Sequence, residues 1–204
     1  MQERLNIPPT KSSLLDLKRR LLFLNEGHRL LERKRELLTR LVYEKLKEFR
    51  QLYTSTRETM AMAYRWLSIT QMRMGSHRLQ QLAIGMPQAI EATVLPRRSM
   101  SVQYPSVEIH KLPLQPVGIL GTDASLDETR VHFTDMVVMI AKLAEVETAL
   151  GRLLEEQRKT QKRVNALKYN VIPRFERTIK YVESSLEEEE RNNLFQLKVL
   201  AQKS

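Results

Sequence analysis

The chain has no cysteine, which excludes disulfides and thiolate metal sites. Its longest apolar candidate, Met136 to Ala141, falls far short of the roughly 20 residues a membrane helix needs. The opening MQERLNIPPTKSS carries no apolar run of signal-peptide length. A soluble intracellular protein is the expectation. Glycine is sparse, at 6 in 204 residues, and aromatics make up only 6%, so a thick globular core is not expected. Proline is missing altogether from Lys11 to Leu82. A proline inside a helix costs about 3 kcal/mol, so this gap permits one very long helix.

What is abundant agrees with that. Leu, Glu, Lys, Arg, Gln and Ala dominate both ends, and 28% of residues are charged, the composition of long helices and coiled coils. One heptad track reads Leu14, Leu21, His28, Arg35, Val42, Phe49. Its companion reads Leu17, Leu24, Leu31, Leu38, Lys45, Leu52. All but His28, Arg35 and Lys45 are apolar, and a seven-residue period held this long is a coiled-coil signal. At ~1.5 Å per residue such a helix spans roughly 105 Å. Thr10 and Ser12 are N-cap candidates just after Pro8 and Pro9.

A second helix is expected from about Leu126 to Gln202, with Asp123 or Ser125 as cap. Its tracks read Met136, Leu143, Leu150, Val164, Val171 and Met139, Val146, Leu153, Leu167, interrupted by Gln157 and Thr160. Beyond Pro173 the phase changes to Phe175, Ile179, Val182, Leu186, and a kink or loosening is expected there. Between the helices lie five of the eight prolines. The alternation Ser99-Met100-Ser101-Val102-Gln103-Tyr104 and the stretches Glu91–Leu95 and Val107–Leu112 suggest a small β-hairpin, its strands kept short by proline.

The fold class is therefore all-α dominated. A long antiparallel two-helix coiled coil carries a small hairpin and loop insert, in segments 1–84, 85–121 and 122–204. The expected seam includes Leu14, Leu17, Leu21, Leu24, Leu31, Leu38, Val164, Leu167, Val171, Ile179 and Val182.

Chemistry is not visible. Gly118-Ile119-Leu120-Gly121 lacks the Lys-Ser/Thr of a phosphate loop. His28, His77, His110 and His132 have no metal-ligand spacing, and His28 on the seam reads as a register-setting polar residue. The net charge of +10 suggests an acidic partner, although exposed charge along a rod gives the same excess. Lys18-Arg19-Arg20 and Arg33-Lys34-Arg35 make no flat basic face, because consecutive helical residues diverge. No aromatics are interleaved for base stacking. A basic scaffold for a membrane surface or nucleic acid is the weaker alternative. Met60, Met62, Met72 and Met74 near Trp66 suit either seam filling or a docking surface. Charges between seam positions are expected to keep the outer face free of sticky apolar side chains.

Several segments resemble a known family. Pro9-Thr10-Lys11-Ser12, then Leu14-Leu15-Asp16-Leu17-Lys18, then Gly27 to Arg35 resemble the opening of the D subunit of the V-type and A-type rotary ATPases. Arg163 to Pro173, RVNALKYNVIP, resembles that family's C-terminal signature, and Met100-Ser101-Val102 and Leu143 to Glu147 agree. The likeness covers about residues 8 to 200, at a length closer to prokaryotic than to vacuolar members. It implies a non-catalytic central rotor shaft without a cofactor. It implies partners: the F subunit of the central stalk, the A and B head subunits and a socket (C/d) subunit above the membrane ring. Nucleic acid and direct membrane insertion are not among them, and the expected place is the cytoplasmic V1/A1 sector, peripheral to the membrane. By analogy Lys11, Lys18, Arg20, Arg33, Arg174 and Arg177 are placed at the head bearing. Met60, Trp66, Met100, Val102 and Tyr104 are placed at the stalk-partner surface.

Overall fold

A computed structural model describes residues 4–118 and 122–203. Residues 119–121, which end the expected insert and supply most of the Gly118–Gly121 stretch, lie outside the described residues, as do the first three and Ser204. The order of elements is α1 (Lys11–Met74), α2 (Ser76–Ile84), β1 (Ile90–Ser99), β2 (Val102–Lys111), α3 (Ala124–Ala166), a five-residue π turn (Leu167–Val171) and α4 (Ile172–Lys203). This is an all-α fold with one small hairpin.

The chain divides into two compact units. One takes the residues up to Leu37 and those from Gln157 onward; the other is Leu38–Glu156. In the first unit α1 and α4 pair antiparallel. Lys11 bridges Glu190 and Lys18 bridges Glu183, each at 2.7 Å. Seven residues forward on α1 thus match seven residues back on α4, the signature of an antiparallel heptad register. The same pair of helices buries a core of Leu17, Ile179 and Val182, joined by Leu14, Leu21, Phe175 and Leu186. Thr10 caps α1: its hydroxyl accepts from the Ser13 amide at 3.2 Å. The preceding segment folds back, and the Leu5 amide donates to Thr178 Oγ1 at 3.1 Å.

The second unit repeats the antiparallel plan with other residues. Leu38, Val42 and Leu153 are buried together. Farther along, Tyr64 meets Phe133 edge-on at 5.8 Å and Trp66 stacks on His132 at 5.9 Å. The unit closes on a buried hydroxyl cluster. Thr70 Oγ1 lies 2.9 Å from the Ser125 carbonyl and 2.8 Å from Thr129 Oγ1. Asp123 precedes the first residue of α3 and holds Arg73 at 3.1 Å. The Ser125 hydroxyl, then the Arg73 guanidinium, keep the Asp123 carboxyl below the usual carboxylate range.

Three features differ from the sequence reading. First, α1 does not run on to Leu82; it stops at Met74. Gly75 has φ 80, a left-handed value that glycine alone adopts freely. The absence of proline permitted a longer helix, but Gly75 supplies a break of another kind. Second, the strands are ten residues each and pass through both Pro96 and Pro105, which face one another. Met100 and Ser101 form the two-residue loop, both at positive φ, the mirror-image turn that hairpins prefer. Its closing pair, Ser99 and Val102, is hydrogen-bonded, and bonded and non-bonded pairs alternate from there. That places Pro96 and Pro105 at a non-bonded pair, where the missing amides would have faced away from the ladder.

Third, the phase change near Pro173 is a π turn. The Ile172 amide bonds the Leu167 carbonyl, five residues back. A π turn inserts one residue, and the seam needs one. Val164, Leu167 and Val171 continue the old track, while Phe175, Ile179, Val182 and Leu186 follow a track displaced by a single position. The loosened turn also ends just before Pro173, so the lost amide and the ring's clash with the Tyr169 carbonyl fall where the ladder is already relaxed. Pro173→Ala should therefore keep the π turn and melt within a few degrees of the parent. A crystal structure of that variant with a plain α-helix and Ile179 turned outward would contradict this account of the phase change.

Candidate interaction surfaces

The hairpin lies along α3, fixed at three points within the second unit. At the tip, Val102 is 7% exposed and packs with Leu38, Val42 and Leu153. At mid-strand, Glu145 receives the Val107 amide on one carboxylate oxygen at 3.0 Å and the Ser106 hydroxyl on the other at 2.9 Å. Val107 stands at a non-bonded pair, so its amide faces outward, where Glu145 takes it. At the base, Lys111 bridges Asp135. Residue numbers rise along β2 as they fall along α3, so the strand runs antiparallel to the helix.

The basic residues assigned to a bearing are mostly engaged within the chain. Lys11 and Lys18 pair with Glu190 and Glu183. Arg20 pairs with Asp16 at 2.9 Å, one turn away. Arg177 Nε donates to the Pro173 carbonyl at 3.0 Å. Arg174 is half-buried, and its Nε, cut off from solvent, has no hydrogen-bond partner. Arg33 is exposed. Of the proposed stalk-partner residues, Met60 and Met100 are exposed, Trp66 and Tyr104 half-buried. Val102 is a core residue that holds the hairpin down, and it offers no surface to a partner.

On the seam, Leu17, Leu38, Val164, Ile179 and Val182 are buried. Leu14, Leu21, Leu24, Leu31, Leu167 and Val171 are half-buried. His28 is half-buried with Nδ1 3.9 Å from Glu32, and its Nε2 has no hydrogen-bond partner. Thr160, read from sequence as an interruption, is buried at 1% exposure; its small side chain fits the seam.

The outer face of α1 corrects one expectation. Leu15, Leu22, Phe23, Leu30 and Leu37 are all exposed, Phe23 to 75%. The cause is local. They belong to the apolar runs Leu14-Leu15, Leu21-Leu22-Phe23, Leu30-Leu31 and Leu37-Leu38. Neighbours on a helix diverge by about 100°, so only one residue of each run reaches the seam. The runs were legible in the sequence as a second apolar stripe. Beyond Glu190, which meets the first residue of α1, Leu194, Phe195 and Leu197 are also exposed.

A profile for the D subunit of ATP synthase matches residues 13–202. The chain belongs to the ATP synthase D-subunit family. Among curated members, the D subunit of the A-type ATP synthase of Pyrococcus furiosus is 36% identical over 202 residues, covering 97% of this chain and 94% of that protein. The D subunit of the V-type ATP synthase of Thermotoga neapolitana is 34% identical over 200 residues, 98% of both chains. The A-type D subunit of Pyrococcus horikoshii is 36% identical over 202 residues, 97% of this chain and 94% of its own. Among the described residues of this family member, no helix is long and apolar enough to cross a membrane.

The clamp and the terminal ion pair can each be tested. Glu145→Ala should cost about 1.5–3 kcal/mol, the range for hydrogen bonds to a charged group, and should speed hydrogen exchange at Val107. The Lys11–Glu190 bridge has two pH limits. Its hydrogen bond, then its charge attraction, raise Lys11 above the ordinary lysine value and hold Glu190 below the ordinary carboxylate value. Glu190's contribution is complete above the usual carboxylate range and is lost as pH falls through its lowered value. Lys11's is complete below the usual lysine range and is lost as pH rises through its raised value. Amide exchange in the first turn of α1 should therefore quicken at both extremes. Glu190→Gln should remove the acid limb, and salt should shrink the effect.

Proposed function

We propose that this chain is the central rotor shaft of an A/V-type ATP synthase. It is non-catalytic and transmits torque between the catalytic head and the membrane ring. The observation that carries this reading is the register of the helix pair in the first unit. A heptad seam, two ion pairs seven residues apart and a one-residue phase correction hold α1 against α4 along a line. A torque-bearing element needs resistance to twist along such a line. Membership of the D-subunit family supports the same conclusion.

The unit that holds both chain ends enters the head formed by the A and B subunits. The apolar stripe of Leu22, Phe23 and Leu30 and the bare end of α4 meet its inner wall. Arg33, Arg20, Arg174 and Arg177 add charge there, and Lys11 and Lys18 keep the two helices in place. The unit with the hairpin and α2 serves the F subunit of the stalk and the socket subunit, through Met60, Trp66, Met100 and Tyr104. Asymmetric contacts then favour different head conformations in turn, which couples rotation to nucleotide state and to H⁺ or Na⁺ movement. The complex places the chain on the cytoplasmic side, peripheral to the membrane.

Affinity purification from the native cell, with mass spectrometry of the recovered proteins, tests the assignment; the head and stalk subunits are the expected partners. A sharper test separates the stripe from the fold. Leu22→Asp with Leu30→Asp alters exposed positions, so melting should stay within about 0.5 kcal/mol per site of the parent. Assembly with the head should be lost. Full assembly and full ATP-driven pumping in that double variant would overturn the placement of this unit in the head.

A further inference from the structure

The hairpin has one guarded edge and one open edge. The outer edge of β2 is covered by α3, with Glu145 on the Val107 amide. Among the described residues no helix covers the outer edge of β1 in this way, and residues 91–98 are exposed. Counting from the closing pair, the outward-facing positions of β1 are Ile90, Ala92, Val94, Pro96 and Arg98. Ala92, Val94 and Arg98 present an amide as well as a carbonyl; Pro96 has no amide, and the Ile90 carbonyl already accepts from Gln88 Nε2 at 2.8 Å.

We propose that β1 is a docking edge that an extended, acidic segment of another protein extends as a third strand. Three observations choose this occupant. The side-chain face of Val94 and Pro96 opens on a cleft of about 430 Å³ whose other walls include Tyr104, Pro105 and Arg152. By alternation Arg98 lies on that same face. Neither Arg98 nor Arg152 belongs to the chain's ion pairs among the described residues. An incoming strand therefore meets backbone partners, an apolar floor and two uncompensated guanidiniums, which suits alternating apolar and acidic side chains. Pro96 disfavours a second copy of this chain. Antiparallel pairing of two β1 edges would meet a missing amide at each copy's Pro96, whereas a foreign strand meets only one.

A photo-crosslinking residue replacing Thr93 in the full-length chain, expressed in its native cell, tests the proposal. The expected product joins this position to an acidic stretch of a different protein. Ala92→Pro removes one outward amide while sparing the ladder to β2, and should lower the yield about tenfold, as should Arg98→Glu with Arg152→Glu. Unchanged circular dichroism and slow exchange at Val107 would show that the hairpin remains in place. No crosslink, a crosslink to a second copy, to a basic segment or to nucleic acid, or a yield indifferent to Ala92→Pro would overturn the proposal. The rotor assignment is judged separately, by whether the head subunits are recovered with the chain.

Discussion

Apolar burial in this protein depends on one helix keeping the same face turned toward another; even Val102 of the hairpin is buried against such a pair. With so few aromatics and glycines there is no thick core to absorb an error of phase. A straight α-helix drifts by about 20° per heptad against a seven-residue pattern. Over the length of these helices such drift would carry the seam out of contact. The π turn at Leu167–Val171 is the most visible correction: one inserted residue lets Ile179 and Val182 reach the seam that Val164 occupies earlier.

The same constraint explains the buried threonines. Thr56, Thr70, Thr129, Thr160 and Thr178 are all under 7% exposed. Each is small enough to let two backbones approach; the Thr56 and Thr160 hydroxyls have no hydrogen-bond partner among the described residues, whereas Thr70, Thr129 and Thr178 each donate to the carbonyl one turn back. Thr178 uses that carbonyl, of Arg174, at 2.8 Å and still accepts from the Leu5 amide. Thr70 adds contacts that tie both helices together. A leucine at either position would bury more surface but would forgo the polar contact that fixes where along its partner the helix sits.

Much of this was legible in the amino-acid order. Heptad tracks with leucine at most positions marked the helix pair, and the clustered prolines marked the insert. Pro173 marked the phase change, though not its form, because a skipped track fits a kink as well as a π turn. Gly75 was missed because glycine inside a helical pattern is often tolerated; only its positive φ makes it a break. The strands were underestimated because a proline harms a ladder only at a bonded position, and that parity depends on the loop. Val102 looked like a surface residue in an alternating strand, whereas the neighbours that bury it lie far along the chain. The clamp by Glu145 had no local signature, since it joins residues separated by 38 positions.

The hydroxyl cluster at the closed end bears on how the helices find each other. Thr70 and Ser125 lie 55 residues apart in the chain, while the Leu5 to Thr178 bond spans 173. By the logarithmic cost of closing a flexible loop, the longer closure is about 1 kcal/mol dearer from the open chain. Contacts near Thr70 therefore form at the lower entropic cost, and the unit that holds them closes ahead of the one that ties Leu5 to Thr178.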